Sequence, residues 1–132
     1  MAVKKRKNSR QKGKRGELDA AETLRRLFSW TARRTQQFKG TSDSSDVEVA
    51  ETPEAFWEVK REERLNVFKA LATAVAEAGS KLPILLHRRN QTEWLVTVRL
   101  VDLARLSDVV RRGQERTADP TPNGGNRDGS GL

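Results

Sequence analysis

Residues 45–60 read SDVEVAETPEAFWEVK, and the fold follows from how this stretch divides. Asp46-Val47-Glu48-Val49-Ala50 alternates polar and apolar, as does Ala55-Phe56-Trp57-Glu58-Val59-Lys60. Alternation with a period of two predicts two strands, with a turn marked by Pro53 between them. On the second strand, Phe56, Glu58 and Lys60 share one face, while Trp57 and Val59 take the other. A carboxylate and an ammonium two residues apart, beside an aspartate opening the neighbouring strand, can hold a divalent metal against a phosphate.

Outward from this pair, residues 30–38 (WTARRTQQF) predict a preceding strand with adjacent Arg33 and Arg34. Residues 39–45, rich in Gly, Ser and Thr, predict a mobile loop. Upstream, residues 16–29 carry a helical stripe in which Glu17, Ala21, Leu24 and Phe28 share a face, with Ala20 and Leu27 beside it. Glu17 heads that apolar stripe, where it either complements the helix dipole or serves a site.

Downstream, 61–64 is a charged link. Val67, Ala70, Leu71, Ala74, Val75 and Ala78 then repeat at helical spacing, and Gly79 is placed to end the helix. Residues 82–86 form a continuous apolar run, the pattern of a central strand. Residues 94–98 predict a further strand and 101–112 a short helix. Beyond Gly113 the composition predicts disorder to Leu132. At the other end, residues 1–16 hold eight Lys and Arg without an acid, predicting a flexible arm that either solubilises the chain or binds phosphate. The predicted units are an arm over 1–13, one domain over 14–112 and a tail over 113–132. The fold class is α/β, a mixed sheet flanked by helices in the order αβββαββα.

Composition narrows the function. Lys and Arg outnumber Asp and Glu 26 to 18 among 132 residues, a net charge of +8 that favours a polyanionic partner, nucleic acid first. Absence of Cys removes disulfides, thiolate zinc sites and a Cys nucleophile; absence of Tyr removes strand transfer through phosphotyrosine. With His87 as the single histidine, a metal must be held mainly by oxygen, and His87 itself reads as an ordinary half-buried residue. No apolar run reaches the ~18 residues that would span a bilayer, which leads to the expectation of a cytoplasmic protein with no membrane partner.

These residues, in this order, resemble the PD-(D/E)XK nuclease superfamily, and within it the small archaeal-type and phage Holliday junction resolvases. The resemblance covers roughly residues 12–106. Lys12-Gly13-Lys14-Arg15-Gly16-Glu17 matches the first-helix motif, Asp46 the metal-binding aspartate, and Glu58-Val59-Lys60 the E-x-K. Arg61 to Asn66 and His87-Arg88-Arg89-Asn90 are also similar to phage members. The chain departs in having Ser45 where a proline is usual, a rival Asp43 three residues upstream of Asp46, and Thr73 where relatives carry glutamine.

The resemblance implies a restriction-endonuclease-like core and a homodimeric Mg²⁺-dependent endonuclease of branched DNA, with Mn²⁺ as substitute. Catalytic residues would be Glu17, Asp46, Glu58 and Lys60. The metal would sit on Asp46, Glu58 and the carbonyl of Val59, with Glu17 holding a second metal or a metal-bound water. DNA contacts would come from Lys12, Lys14, Arg15, Arg33, Arg34, Lys39, Arg61, Arg64, Arg88 and Arg89. A nuclease of ends, flaps or single strands and a non-catalytic basic DNA-binding protein are the competing readings.

Overall fold

The structure is a computed structural model describing residues 9–35 and 45–118, with side chains from residue 13. The basic segment before residue 9, the expected loop with Lys39 and Asp43, and the segment after 118 lie outside the described residues, as does the side chain of Lys12.

Eight elements follow the expected order: α1 (Ser9–Phe28), β1 (Ala32–Arg34), β2 (Val47–Val49), β3 (Ala55–Arg61), α2 (Val67–Ala78), β4 (Leu82–Arg88), β5 (Leu95–Thr97) and α3 (Leu103–Ala118), with a 3₁₀ turn at Leu100–Asp102 before α3. The strands form one mixed sheet in the order β1-β2-β3-β4-β5, in which β3 and β4 are parallel and every other pairing is antiparallel. Among the described residues, three helices and five strands make an α/β layer. No described helix is long and apolar enough to cross a membrane.

Strand alternation sorts the two faces. Ala32, Val47, Val49, Trp57, Val59, Ile84 and Leu86 join Ala20, Ala21 and Leu24 of α1 and Val109 of α3 in the main core. On the opposite face Phe56 packs with Ala74 and Ala78 of α2, whose small side chains bring the helix close to the sheet. Asn66 caps α2 by accepting the N–H of Lys69 at 3.0 Å, and Gly79 ends it at φ 62°. Pro83 is tolerated inside β4 for a local reason. Leu82 N–H donates to Glu54 O, so position 83 points its missing donor toward β5, whose pairing starts only at Leu85.

Four expectations are corrected. α1 begins at Ser9, not near residue 16, so residues 9–13 of the expected arm are helical. Lys, Arg and Gln propagate a nucleated helix readily, and each added residue brings a bond without a new nucleus. Leu27 lies outside the stripe and is 60% exposed. β1 is limited to Ala32–Arg34, where it faces β2, with residues 36–38 outside the described part.

The fourth concerns the C-terminal side, where α3 runs through Gly113 to Ala118, so the domain does not stop at 112. Gly113 is buried against the rings of Trp30 and the methyl of Thr52, where a Cβ would lie 2.8 and 2.9 Å from them. It admits the core to the helix instead of ending it.

Candidate active site

β2 begins late, at Val47, and leaves the far end of β3 without a backbone partner on that side. Asp46 fills this gap: its backbone N–H donates to Trp57 O at 3.0 Å, and its Oδ2 accepts the N–H of Val59 at 2.9 Å. N–H and C=O of one strand residue point the same way, so the carbonyl of Val59 faces the Asp46 edge as well. Glu58 is buried on the α2 face and Lys60 is half-buried two residues on.

Electrostatics tie these residues together. Burial, then the nearby Asp46 carboxylate, push Glu58 up to about 7; Lys60 opposes the rise, while Glu77 and Glu17 add to it. Burial and Asp46 also raise Glu17, against the hydrogen bond and charge of Arg34 and the charge of Lys60. Glu17, Asp46, Glu58 and Lys60, four expected site residues from α1, the start of β2 and β3, therefore share one field.

They do not form a ready chelate. Among the described residues no three Asp, Glu, His or Cys side chains stand together closely enough to hold a metal ion. Glu17 is committed to Arg34, whose Nε donates to Glu17 Oε1 at 2.7 Å, and Asp46 to the Val59 amide. The donor set still suits Mg²⁺ or Mn²⁺, since such ions take one or two carboxylates and retain waters. Three acids around a buried glutamate, with its ionisation suppressed, have the negative charge a divalent cation would relieve.

The basic residues divide by structure. Arg33 and Arg34, adjacent on β1, point to opposite sheet faces. Arg33 pairs with Glu48 in an exposed bridge of little energetic weight, and Arg34 is the Glu17 partner. Arg88 donates to Asp19 Oδ2 at 2.9 Å and lies 5.6 Å over the Trp94 ring, whose Nε1 donates to the same oxygen at 3.1 Å. This clamp fastens α1 to the far side of the sheet. The Arg61 stem packs on Gly16, with its Cβ 3.2 Å from where a glycine side chain would begin. Lys14, Arg15, Arg64 and Arg89 are exposed.

A cavity of about 340 Å³ opens beside Lys60 at the start of α2, lined also by Arg64, Asn66, Lys69 and Thr73. Thr73 itself is exposed and donates to Lys69 O within its own helix at 3.2 Å. His87 bonds Thr97 Oγ1 through Nε2 at 2.9 Å, and burial lowers its pKa, as an ordinary half-buried histidine requires.

Two contributors were missed in the sequence. Glu77 sits one residue before Ala78 on the α2 stripe, and a carboxylate there was the available signal. Asp19 sits two residues after Glu17, but its partners are 69 and 75 residues away and nothing local announces them. Comparison with protein-family models, with curated proteins and with solved structures finds no match to this chain.

Proposed function

We propose that the chain is a metal-dependent endodeoxyribonuclease of restriction-endonuclease-like fold that resolves four-way DNA junctions. The observation carrying this reading is the grouping of Glu17, Asp46 and Glu58 with Lys60 in a chain of net charge +8. Three electrostatically coupled carboxylates repel a DNA phosphate, and an arrangement costly for passive binding is reasonable where a cation mediates the contact.

Asp46, Glu58 and the Val59 carbonyl would hold Mg²⁺ or Mn²⁺, which when bound neutralises phosphate charge and acidifies a coordinated water. The chain's own part is positional. Asp46 is fixed by the Val59 amide, so its carboxylate keeps one orientation. Lys60 presents an ammonium beside the scissile phosphate, orients the attacking water and offsets charge developing on the phosphate oxygens. Glu58, whose pKa burial and Asp46 raise to about 7, would have to be in its carboxylate form to serve as a ligand. Glu17 orients through Arg34. Arg64 and Lys69, at the mouth of the cavity beside Lys60, lie where neighbouring phosphates of the same strand would pass.

Nucleases of ends or flaps would use the same residues, so the substrate panel decides. Labelled four-way junction, duplex and single-stranded DNA are incubated with Mg²⁺ or with EDTA. The reading expects symmetric junction nicking with Mg²⁺ and none in EDTA. Cleavage that persists in EDTA overturns the mechanism, and cleavage of single strands alone overturns the substrate.

A further inference from the structure

Near the C-terminal ends of the two parallel strands, three side chains stand in a row on the α2 face of the sheet. Lys60 of β3 is the register partner of His87 of β4, and His87 that of Leu95 of β5. Register partners share a face, so the row passes from an ammonium through an imidazole to an isobutyl group that is 57% exposed. Two cavities lie along it. The one beside Lys60 carries Arg64 and Lys69; the second, of about 490 Å³, lies beside His87 and Leu95, and the two share Glu62 and Leu65 as walls.

The second cavity differs in chemistry from the first. Leu65 and Val67, at the entry to α2, and Leu95 make its lining partly apolar. The His87 ring is tied to Thr97 Oγ1 at 2.9 Å, and burial lowers its pKa, so it brings no charge at neutral pH. Of the two arginines that reach the cavity, Arg88 is committed to Asp19. Arg89 then stands against the exposed carboxylates of Glu62 and Glu93, which form no ion pair among the described residues. The local balance is acidic, so a phosphate is favoured beside Lys60 and disfavoured here. A planar ring with amino donors suits these walls, since it covers apolar side chains and donates to carboxylates. Unpaired nucleobases are held in this way, between apolar groups and by their Watson–Crick edge. The volume falls within the ~300–1,000 Å³ of small-ligand sites.

We infer that this cavity receives one unpaired, amino-bearing nucleobase of a DNA strand whose neighbouring phosphate lies beside Lys60. Glu62 and Glu93 accept from the amino group of guanine, adenine or cytosine. Thymine has no amino group and turns carbonyl oxygens toward them, so it is rejected. Lys60 and His87 are one strand spacing apart, about 4.8 Å, so a phosphate and the base beside it reach the two compartments together. A base paired within continuous duplex cannot enter, and DNA with unpaired bases at a branch, bulge or gap is preferred. The inference rests on the phosphate placed beside Lys60 by the proposed function and adds what the strand must offer next to it.

Equilibrium binding of the full chain in Ca²⁺, with no cleavage required, tests it. The probes are a DNA duplex carrying one bulged 2-aminopurine and the same duplex fully paired. The bulged probe should bind roughly fivefold more tightly and brighten about twofold, since its base leaves the stack for a cavity lined by no Trp or Phe. Leu95→Ser, a change at an exposed edge position, should cut that preference about threefold and leave paired-duplex binding unchanged. Among bulged natural bases, guanine should bind roughly fivefold more tightly than thymine. Glu62→Gln combined with Glu93→Gln should bring the two within about twofold, because an amide donates as well as accepts. Equal binding of bulged and paired probes overturns the inference and leaves the nuclease reading standing. So does a preference that survives Leu95→Ser, or thymine bound as tightly as guanine. Brightening by a chain that cleaves no DNA keeps the cavity and overturns the nuclease reading.

Discussion

Oδ2 of Asp46 accepts the backbone N–H of Val59 at 2.9 Å, so a side chain continues the β2–β3 ladder where the backbone of β2 has ended. Asp46→Asn keeps an acceptor for that amide, whereas Asp46→Ala leaves it unsatisfied at a cost of about 1–3 kcal/mol. Asn should therefore fold nearly as stably as the parent, abolish cleavage, and keep or strengthen DNA binding by removing a negative charge. Asp43→Asn should retain most activity. Paired cleavage and gel-shift assays check this; the reverse pattern would move the ligand to Asp43.

Stability should fall as pH rises through neutrality. Glu58 has a folded pKa of about 7 against an ordinary 4.5, so the native state binds its proton more tightly than the unfolded chain. Between those values stability declines with pH, and above about 7 the penalty is complete, at most ~3 kcal/mol. Glu58→Gln should flatten this slope and make the variant more stable than the parent at pH 8. Denaturant unfolding at pH 5 and pH 8 measures both effects.

Divalent cations should reverse the same penalty. Mg²⁺, Mn²⁺ or Ca²⁺ should raise the melting temperature more at pH 8 than at pH 5, where the Glu58 proton competes. The shift should vanish in Glu58→Gln. In cleavage assays Ca²⁺ should support DNA binding with little hydrolysis.

Gly113→Ala should destabilise the fold by about 1–3 kcal/mol through overpacking, because its Cβ would lie 2.8 Å from Trp30 Cζ2 and 2.9 Å from Thr52 Cγ2. Thermal melting detects the loss. A glycine serving only to end a helix would tolerate the methyl or gain from it.

The core and much of the candidate site were legible because their signals are local. Alternation exposed β3 with its Glu58 and Lys60, and three-four spacing exposed α2. Glu17 could be singled out because it interrupts an apolar stripe. What escaped depends on long-range packing. Gly113 looks the same in sequence whether it ends a helix or admits a tryptophan, and Asp19 gives no local sign of Arg88. The start of α1 escaped because continuing a helix needs no core, only residues that do not oppose it.

Removing residues 1–8 takes away Lys4, Lys5, Arg6 and Lys7 while leaving α1 intact. DNA affinity should drop and its dependence on salt concentration flatten, with cleavage at saturating protein preserved. Filter binding across a salt series, alongside single-turnover cleavage, separates the two. Lost cleavage with DNA still bound would make the segment part of the active site.

The Asp19 clamp also orders events in time. β3, α2 and β4 lie consecutively in the chain and can assemble as one crossover unit, whereas Arg88 and Trp94 hold α1 only after a loop of 69 or 75 residues has closed. Loop closure grows costlier with length, so this clamp is expected to close after α1 has settled on β1 and β3. Glu17 travels with that helix. A chain still emerging from the ribosome already holds β1, β3 and Arg34, on which α1 and Glu17 rest, by residue 61; the Asp19 clamp can lock that helix only once residue 94 is made.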